Sequence, residues 1–90
     1  MAEEQRRVHF EGQVQGVGFR FTVYQIACRF AVSGYVQNLP DGRVLFVAEG
    51  EKVEIDAMIT AIEERMQPYI DRFQSDVRPA SGEFDGFGVR

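Results

Sequence analysis

The sequence predicts an α+β fold in which two helices cover one face of an antiparallel sheet of four or five strands. Three observations indicate this architecture: a short chain of 90 residues, strand-like and helix-like hydrophobic patterns that follow one another, and a strong hairpin signal between the second and third strands. Apolar residues make up 44% of the chain, an ordinary share for a globular protein. We therefore expect a single domain over residues 1–90.

The first part of the chain predicts a strand, a glycine-rich turn and a helix. Val8, Phe10 and Val14 alternate within residues 7–14, which indicates a half-buried strand. After the turn, a buried helical stripe is predicted at Val23, Ile26, Ala27 and Phe30. Gly34 is the residue type that favours a left-handed cap, so we expect the helix to end there.

The middle of the chain predicts a β-hairpin. The apolar runs at residues 35–39 and 43–48 are separated by a turn that contains Asp41 and Gly42. An Asp-Gly pair between two such runs is a strong hairpin signal, because both residues tolerate the backbone angles of a tight turn.

The last part of the chain predicts a second helix and more strand. The helix starts near Glu51 and ends near Gln67, where Pro68 prevents its extension. Its buried stripe is Ile55, Met58, Ile59, Ile62 and Met66. Apolar residues on both sides of a loop at residues 79–82 then indicate one or two strands. The whole order is that of a ferredoxin-like βαββαβ sandwich, a fold that serves many functions.

Composition limits the partners that this chain can have. The formal net charge is −4, whereas binding to a phosphate backbone normally requires a basic surface, so we expect no nucleic-acid partner. No run is apolar enough to cross a membrane, so no membrane partner is expected either. With one cysteine, neither an internal disulfide nor a cysteine-based zinc site can form. A cytoplasmic monomer fits these features best.

A glycine-rich stretch carries the strongest functional signal. Residues 12–20 read G-Q-V-Q-G-V-G-F-R, and the predicted helix begins directly after Arg20. Glycines allow tight turns that expose backbone N–H groups, and with a helix N-terminus and a guanidinium group they form an anion cradle suited to phosphate. The glycine spacing alone leaves a plain strand-to-helix connection equally open. A Walker loop is excluded, because no Gly-Lys-Ser/Thr follows.

Other chemically reactive residues favour structural interpretations. Cys28 lies beside the buried stripe of the first helix, which favours a packed thiol. His9 is the only histidine, so a multi-histidine metal site is excluded, and its place in the strand indicates a surface residue. An acidic cluster suits the positive end of the second helix better than a metal. This cluster consists of Glu49, Glu51, Glu54 and Asp56.

Asn38 is a second candidate for function. It shares a strand face with Val36 and so continues an inward-facing apolar row as a polar residue. Asn is common near turns for local reasons, although this hairpin already has Asp41 and Gly42 to form its turn. The residues alone leave both a local role and a functional role open.

Four segments together resemble the acylphosphatase family. They are G-Q-V-Q-G-V-G-F-R at 12–20, G-Y-V-Q-N at 34–38, D-G-R-V at 41–44 and G-F-x-V-R at 86–90. The resemblance spans nearly the whole chain and includes its size and the order of its elements. A weaker resemblance of residues 16–21 to the glycine-aromatic motif of RNA-recognition domains conflicts with the acidic charge and with the position of the motif after the first strand.

The acylphosphatase resemblance implies an activity and a site. The family hydrolyses acyl phosphates to a carboxylate and inorganic phosphate, without a metal or organic cofactor. It implies that Arg20 and the backbone N–H groups of the loop hold the phosphoryl oxygens, and that Asn38 orients the attacking water. The loop residues are Gln15, Gly16, Val17, Gly18 and Phe19.

Some positions depart from the family pattern, and one alternative within the family stays open. Leu45 stands where relatives often have an acidic residue and is expected to add an apolar spot to the outer sheet face. Tyr35 replaces a frequent tryptophan, and residues 67–69 lack a glycine-proline pair. The alternative is a non-catalytic phosphate-binding module, as occurs within larger hydrogenase-maturation proteins. The end of the chain at residue 90 favours the stand-alone enzyme.

Overall fold

A computed structural model describes residues 3–90, and residues 1 and 2 of the predicted domain lie outside this range. The predicted element order is confirmed, with a fifth strand near the end of the chain. The elements are β1 (Glu3–Gly12), α1 (Phe19–Ala27), β2 (Ser33–Asn38), β3 (Val44–Glu51), α2 (Lys52–Met66), a 3₁₀ turn (Gln67–Tyr69), β4 (Ile70–Pro79) and β5 (Phe87–Val89). None of the helices among these residues is long and apolar enough to span a membrane.

The five strands form one sheet in the order β4-β1-β3-β2-β5. The pairs of β1 with β3, β1 with β4, and β2 with β3 are antiparallel. Strand β5 runs parallel to β2, so the sheet is mixed rather than purely antiparallel. This follows from the connection, because residues 80–86 carry the chain from one edge of the sheet to the opposite edge.

Both helices pack on the same face of the sheet, where the core lies. All five residues predicted for the α2 stripe are buried, which confirms that pattern. The largest fully buried side chains include Phe10, Phe19 and Phe46, and the ring centroids of Phe10 and Phe19 lie 5.1 Å apart. The contact between these two rings fixes the start of α1 against β1, directly beside the glycine-rich turn.

The opposite face of the sheet carries no helix, yet part of it is buried. Leu45 and Val47, whose side chains point to this face, are only 9% and 0% exposed. Leu45 therefore lies on the outer sheet face as predicted, but it is buried and adds no exposed apolar spot. The segment of residues 80–86 crosses this face, and we call it the strap.

Glu49 anchors the strap. Its carboxylate accepts hydrogen bonds from the Ser81 N–H (2.7 Å), the Ser81 hydroxyl (2.8 Å), the Gly82 N–H (3.0 Å) and the Gln5 amide (2.7 Å). Glu49 lies in β3 and is buried, so the prediction that it serves the positive end of the second helix is wrong. Strand pairing places this carboxylate on the helix-free side, away from the α2 axis.

The boundaries of the first strand and first helix differ from the prediction. Strand β1 ends at Gly12, and Val14 is buried in the loop rather than in the strand. Helix α1 ends at Ala27 instead of Gly34, and a tight turn follows in which the Phe30 N–H bonds to the Ala27 carbonyl at 3.1 Å. Gly34 belongs to β2, where an added Cβ would lie 1.9 Å from the Val47 carbonyl oxygen. Close strand packing, rather than a helix cap, therefore requires this glycine.

Cys28 is exposed, so the predicted packed thiol is wrong. The residue caps the C-terminus of α1, one position beyond the last helical residue, and its side chain therefore leaves the buried stripe. His9 is half-buried on the helix-free face, between Leu45 and Gln74 of the neighbouring strands. Burial and the nearby Arg43 lower its pKa below the usual 6.5, so this imidazole is neutral near pH 7.

Candidate active site

The glycine-rich turn presents its backbone to solvent directly before α1. Gly16 and Gly18 have φ angles of 79° and 76°, in the left-handed region that glycine adopts at no steric cost. Gly18 is the N-cap of α1, and no side chain caps this helix end. The first turn of the helix also contains no acidic residue. The positive end of the helix dipole is therefore open to an anion.

Arg20 projects from the first turn of α1 toward the same opening. Its Nη1 donates a hydrogen bond to the main-chain oxygen of Arg90 at 2.9 Å. Among residues 3–90, no carboxylate side chain forms an ion pair with Arg20. The guanidinium group is thus held at one nitrogen and keeps donors for a bidentate contact with a ligand.

Asn38 reaches this opening from a different element. It is the last residue of β2 and lies on the helix-facing side of the sheet, in register with Val44. In the described part of the chain its carboxamide makes no side-chain hydrogen bond. The amide therefore has both donors and an acceptor available for a water molecule.

These residues line one pocket of about 330 Å³. Its lining consists of Val14, Gly16, Gly18, Phe19, Arg20, Phe21, Asn38 and Val89. Arg20 and Asn38 are 18 positions apart in the sequence and meet only because β2 lies next to the N-terminus of α1. Arg20 is the one charged residue of this lining, so the pocket favours an anion.

Two predicted loop residues contribute in another way. Gln15 donates from Nε2 to the carbonyl oxygens of Leu39 (2.8 Å) and Arg43 (3.0 Å), which ties the loop to the β2–β3 hairpin. Val17 is partly buried against the core. Neither side chain lines the pocket, so their contribution to a ligand would come through the backbone alone.

The hairpin that carries Asn38 is itself fixed by Asp41. Its carboxylate accepts from the Arg43 N–H (3.1 Å) and from Arg43 Nε (2.8 Å). The hydrogen bond from the Arg43 backbone is the main reason that the pKa of Asp41 lies below its usual 3.8. Gln15, bonded to the Arg43 carbonyl, joins this turn to the glycine-rich loop.

The last residue of the chain also contributes, which the sequence patterns did not predict. The Arg90 N–H donates to the Val36 carbonyl at 2.8 Å. Its guanidinium carbon lies 3.8 Å from the Tyr35 ring centroid and 6.0 Å from that of Phe84. We call these three side chains the Arg90 clamp. The clamp and the bond to Val36 together position the main-chain oxygen of Arg90, which in turn holds Arg20. The only sequence signal was the position of Arg90 at the end of the G-F-x-V-R segment.

The acidic residues near the start of α2 are engaged elsewhere. Glu54 accepts from the Ala31 N–H at 2.9 Å, and Asp56 bonds to Arg6 and Lys52. Hydrogen bonds from Lys52 and Arg6 lower the pKa of Asp56 below its usual 3.8. No group of three or more potential metal ligands occurs within residues 3–90.

Comparison with known proteins identifies the family. The acylphosphatase family model matches residues 6–89, and the chain belongs to that family. An acylphosphatase from Rubrobacter xylanophilus is 43% identical over 86 residues, which cover 93% of this chain and 77% of the relative. The crystal structure of acylphosphatase from Bacillus subtilis superposes with a TM-score of 0.87 at 26% identity, covering 97% of this chain and 98% of that one.

A larger protein contains a similar domain. The crystal structure of HypF from T. kodakarensis matches with a TM-score of 0.83 at 35% identity and covers 97% of this chain but only 12% of the HypF chain. The family and the fold together support acyl phosphate hydrolysis in general.

Proposed function

We propose that this chain hydrolyses acyl phosphates by means of Arg20, the loop backbone and Asn38. The observation that carries the proposal is the pocket in which an uncapped helix N-terminus, a guanidinium group and an unengaged carboxamide meet. In this proposal, Arg20 and the N–H groups of residues 15–19 bind the phosphoryl oxygens. Asn38 then orients a water molecule toward phosphorus, on the side opposite the acyl oxygen.

These groups match what the reaction needs. Phosphoryl transfer depends mainly on positioning and charge stabilisation, and a forked guanidinium fits two phosphate oxygens. The helix N-terminus adds roughly half a positive charge. The leaving group is a carboxylate, which needs no proton at neutral pH. A general acid is therefore unnecessary, and a phosphate oxygen of the substrate can accept the proton of the attacking water.

The proposal includes independence from metals and organic cofactors, and it keeps the expectation of a cytoplasmic monomer. Arg20 and the helix N-terminus supply the positive charge that a metal would otherwise provide. The test is hydrolysis of benzoyl phosphate in chelator-treated buffer. Activity that depends on added metal would overturn this part of the proposal.

Substitutions at the two site residues test the assigned roles. We expect Arg20→Ala to abolish both turnover and inhibition by inorganic phosphate. Asn38→Ala should reduce kcat about 10²- to 10³-fold, the effect of losing one preorganised donor, while phosphate inhibition remains. Matched controls are Arg29→Ala, an exposed arginine beyond α1, and Gln37→Ala, the strand neighbour of Asn38. Full turnover in Arg20→Ala would contradict the proposal.

A non-catalytic phosphate-binding module is the second candidate, favoured by the similarity to a small part of HypF. Both candidates predict phosphate binding that Arg20→Ala abolishes. Only the enzyme predicts turnover of an acyl phosphate. Phosphate binding by calorimetry without any hydrolysis would favour the module.

A further inference from the structure

Two exposed apolar side chains flank the phosphate cradle, and the proposed function does not account for them. Phe21 is 64% exposed and Val89 is 48% exposed, and both line the same pocket as Arg20 and Asn38. Phe21 belongs to α1 and Val89 to β5, so the fold brings them together from opposite ends of the chain. Large apolar groups that stay exposed at the mouth of a pocket commonly mark a ligand contact.

The charge of the pocket also restricts what the apolar groups can contact. Arg20 is the one charged residue of the lining, and its guanidinium group would already be bonded to the phosphoryl group. The nearby Arg90 side chain is stacked on Tyr35 and is not among the lining residues. A second negative charge on the substrate would therefore find no cation within this pocket and would lose hydration against Phe21 and Val89.

We propose that Phe21 and Val89 form an acyl-group subsite that selects uncharged, apolar acyl phosphates, aromatic ones in particular. The inference rests on the proposed function, because it places the phosphoryl group in the cradle. The acyl carbon skeleton then packs on the Phe21 ring and the Val89 side chain at the pocket mouth. Since Phe21 follows Arg20 directly, one turn of helix presents the phosphate contact and the acyl contact together.

The test compares substrates that differ only in the acyl group. The substrates are benzoyl phosphate, acetyl phosphate and 4-carboxybenzoyl phosphate, and kcat/KM is measured for each. We expect the native chain to prefer benzoyl phosphate over the other two by about tenfold, as for modest differences in an open apolar site. Phe21→Ala and Val89→Ser should lower kcat/KM for benzoyl phosphate by about five- to tenfold, and for acetyl phosphate by less than about twofold.

A matched control variant and a measurement of phosphate inhibition distinguish a loss of the acyl-group subsite from a general loss of activity. Tyr24→Ala removes an exposed aromatic group from the same helix outside the pocket, and it should leave all three substrates unchanged. Inhibition by inorganic phosphate should be unchanged in all three variants, since the cradle is intact. Equal losses for benzoyl and acetyl phosphate in Phe21→Ala, or no loss, would overturn the subsite.

Calorimetry with benzoylphosphonate and acetylphosphonate, which cannot be hydrolysed at the C–P bond, separates this inference from the proposed function. One outcome is that benzoylphosphonate binds more tightly than acetylphosphonate, that Phe21→Ala removes this difference, and that no acyl phosphate is turned over. This outcome would support the subsite and refute the hydrolase. Turnover without any preference between the acyl groups would support the hydrolase and refute the subsite.

Discussion

At the scale of single residues, Gln15 shows how a side chain can shape a site without lining it. Its amide holds the carbonyl oxygens of Leu39 and Arg43, and so it fixes the distance between the loop and the hairpin that carries Asn38. From the sequence, Gln15 was predicted to contribute only its backbone N–H group. The link to the hairpin depends on a contact 24 positions away and needed the structure.

We expect Gln15→Ala to lower the free energy of unfolding by about 1 kcal/mol, the usual net value of one or two hydrogen bonds in a partly exposed setting. It should also lower kcat for benzoyl phosphate more than it raises KM, because Asn38 would lose its fixed distance to the cradle. Urea denaturation and steady-state kinetics measure the two effects. The control is Gln13→Ala, an exposed glutamine of the same loop, and equal behaviour of both variants would refute this role.

At the scale of elements, the strap and β5 connect the candidate site to the far edge of the sheet. Glu49 holds the start of the strap, the Arg90 clamp holds its end, and Arg90 contacts Arg20. The sequence indicated a loop and a short strand here. The sequence could not indicate that this segment crosses the helix-free face. The crossing is held by single polar contacts such as those of Glu49, and single contacts leave no periodic pattern in the sequence.

The anchor at Glu49 predicts a dependence of stability on pH. Burial by itself raises the pKa of this carboxyl, but the hydrogen bonds from Ser81, Gln5 and Gly82 outweigh burial and lower it below the usual 4.5. The anchor therefore contributes its full stability above pH 4.5 and loses it as the pH falls through the lowered value. We expect Glu49→Gln to unfold at lower urea concentration at pH 7, with the difference from the native chain shrinking toward pH 3.

Glu83→Gln, an exposed acid on the same strap, serves as the control and should leave the pH dependence unchanged. A difference between Glu49→Gln and the native chain that is constant from pH 7 to pH 3 would contradict the role of ionised Glu49.

The Arg90 clamp predicts an effect of Tyr35 on a site that it does not touch. Removing the ring in Tyr35→Leu should lower kcat/KM about two- to fivefold, the equivalent of an exposed cation–π contact of about 0.5–1 kcal/mol. Tyr35→Trp should restore activity, since a larger ring also stacks on the guanidinium group. A purely structural role would instead lower stability in Tyr35→Leu without changing the kinetics of the folded protein.

At the scale of the whole molecule, the stability of the site depends on the α2 core. Ile55 on the inner face of α2 is fully buried, whereas Val53 on the same helix is largely exposed. We expect Ile55→Ala to cost about 2–5 kcal/mol, because it leaves a cavity between helix and sheet. Val53→Ala should stay within about 0.5 kcal/mol.

Thermal and urea unfolding measure both changes, and kcat below the transition should be native in both variants. A smaller cost for Ile55→Ala than for Val53→Ala would mean that the helix packs differently. A loss of kcat in folded Ile55→Ala would show that the geometry of the site, and not only its stability, depends on the α2 core.

The sequence by itself determined the order of the elements, the α2 core stripe, the hairpin and the composition of the glycine-rich loop. Each of these is local: helical spacing, strand alternation and turn residues are set by neighbours a few positions apart. The family resemblance pointed to Arg20 and Asn38, because the segments at 12–20 and 34–38 that contain them match the family in residues and in spacing.

Only the tertiary structure decided which distant residues meet. It placed Arg20 and Asn38 in one pocket, buried Leu45, buried Glu49 against the strap, exposed Cys28, and placed Gly34 in a strand instead of a helix cap. It also brought Arg90 to Arg20, 70 positions earlier in the chain. The burial of Glu49 and the contact of Arg90 with Arg20 depend on the strap, which is held by the pairing of β5 with β2 and by single polar anchors. Such pairings leave no periodic signal in the sequence, because each is made once and between residues far apart in the chain.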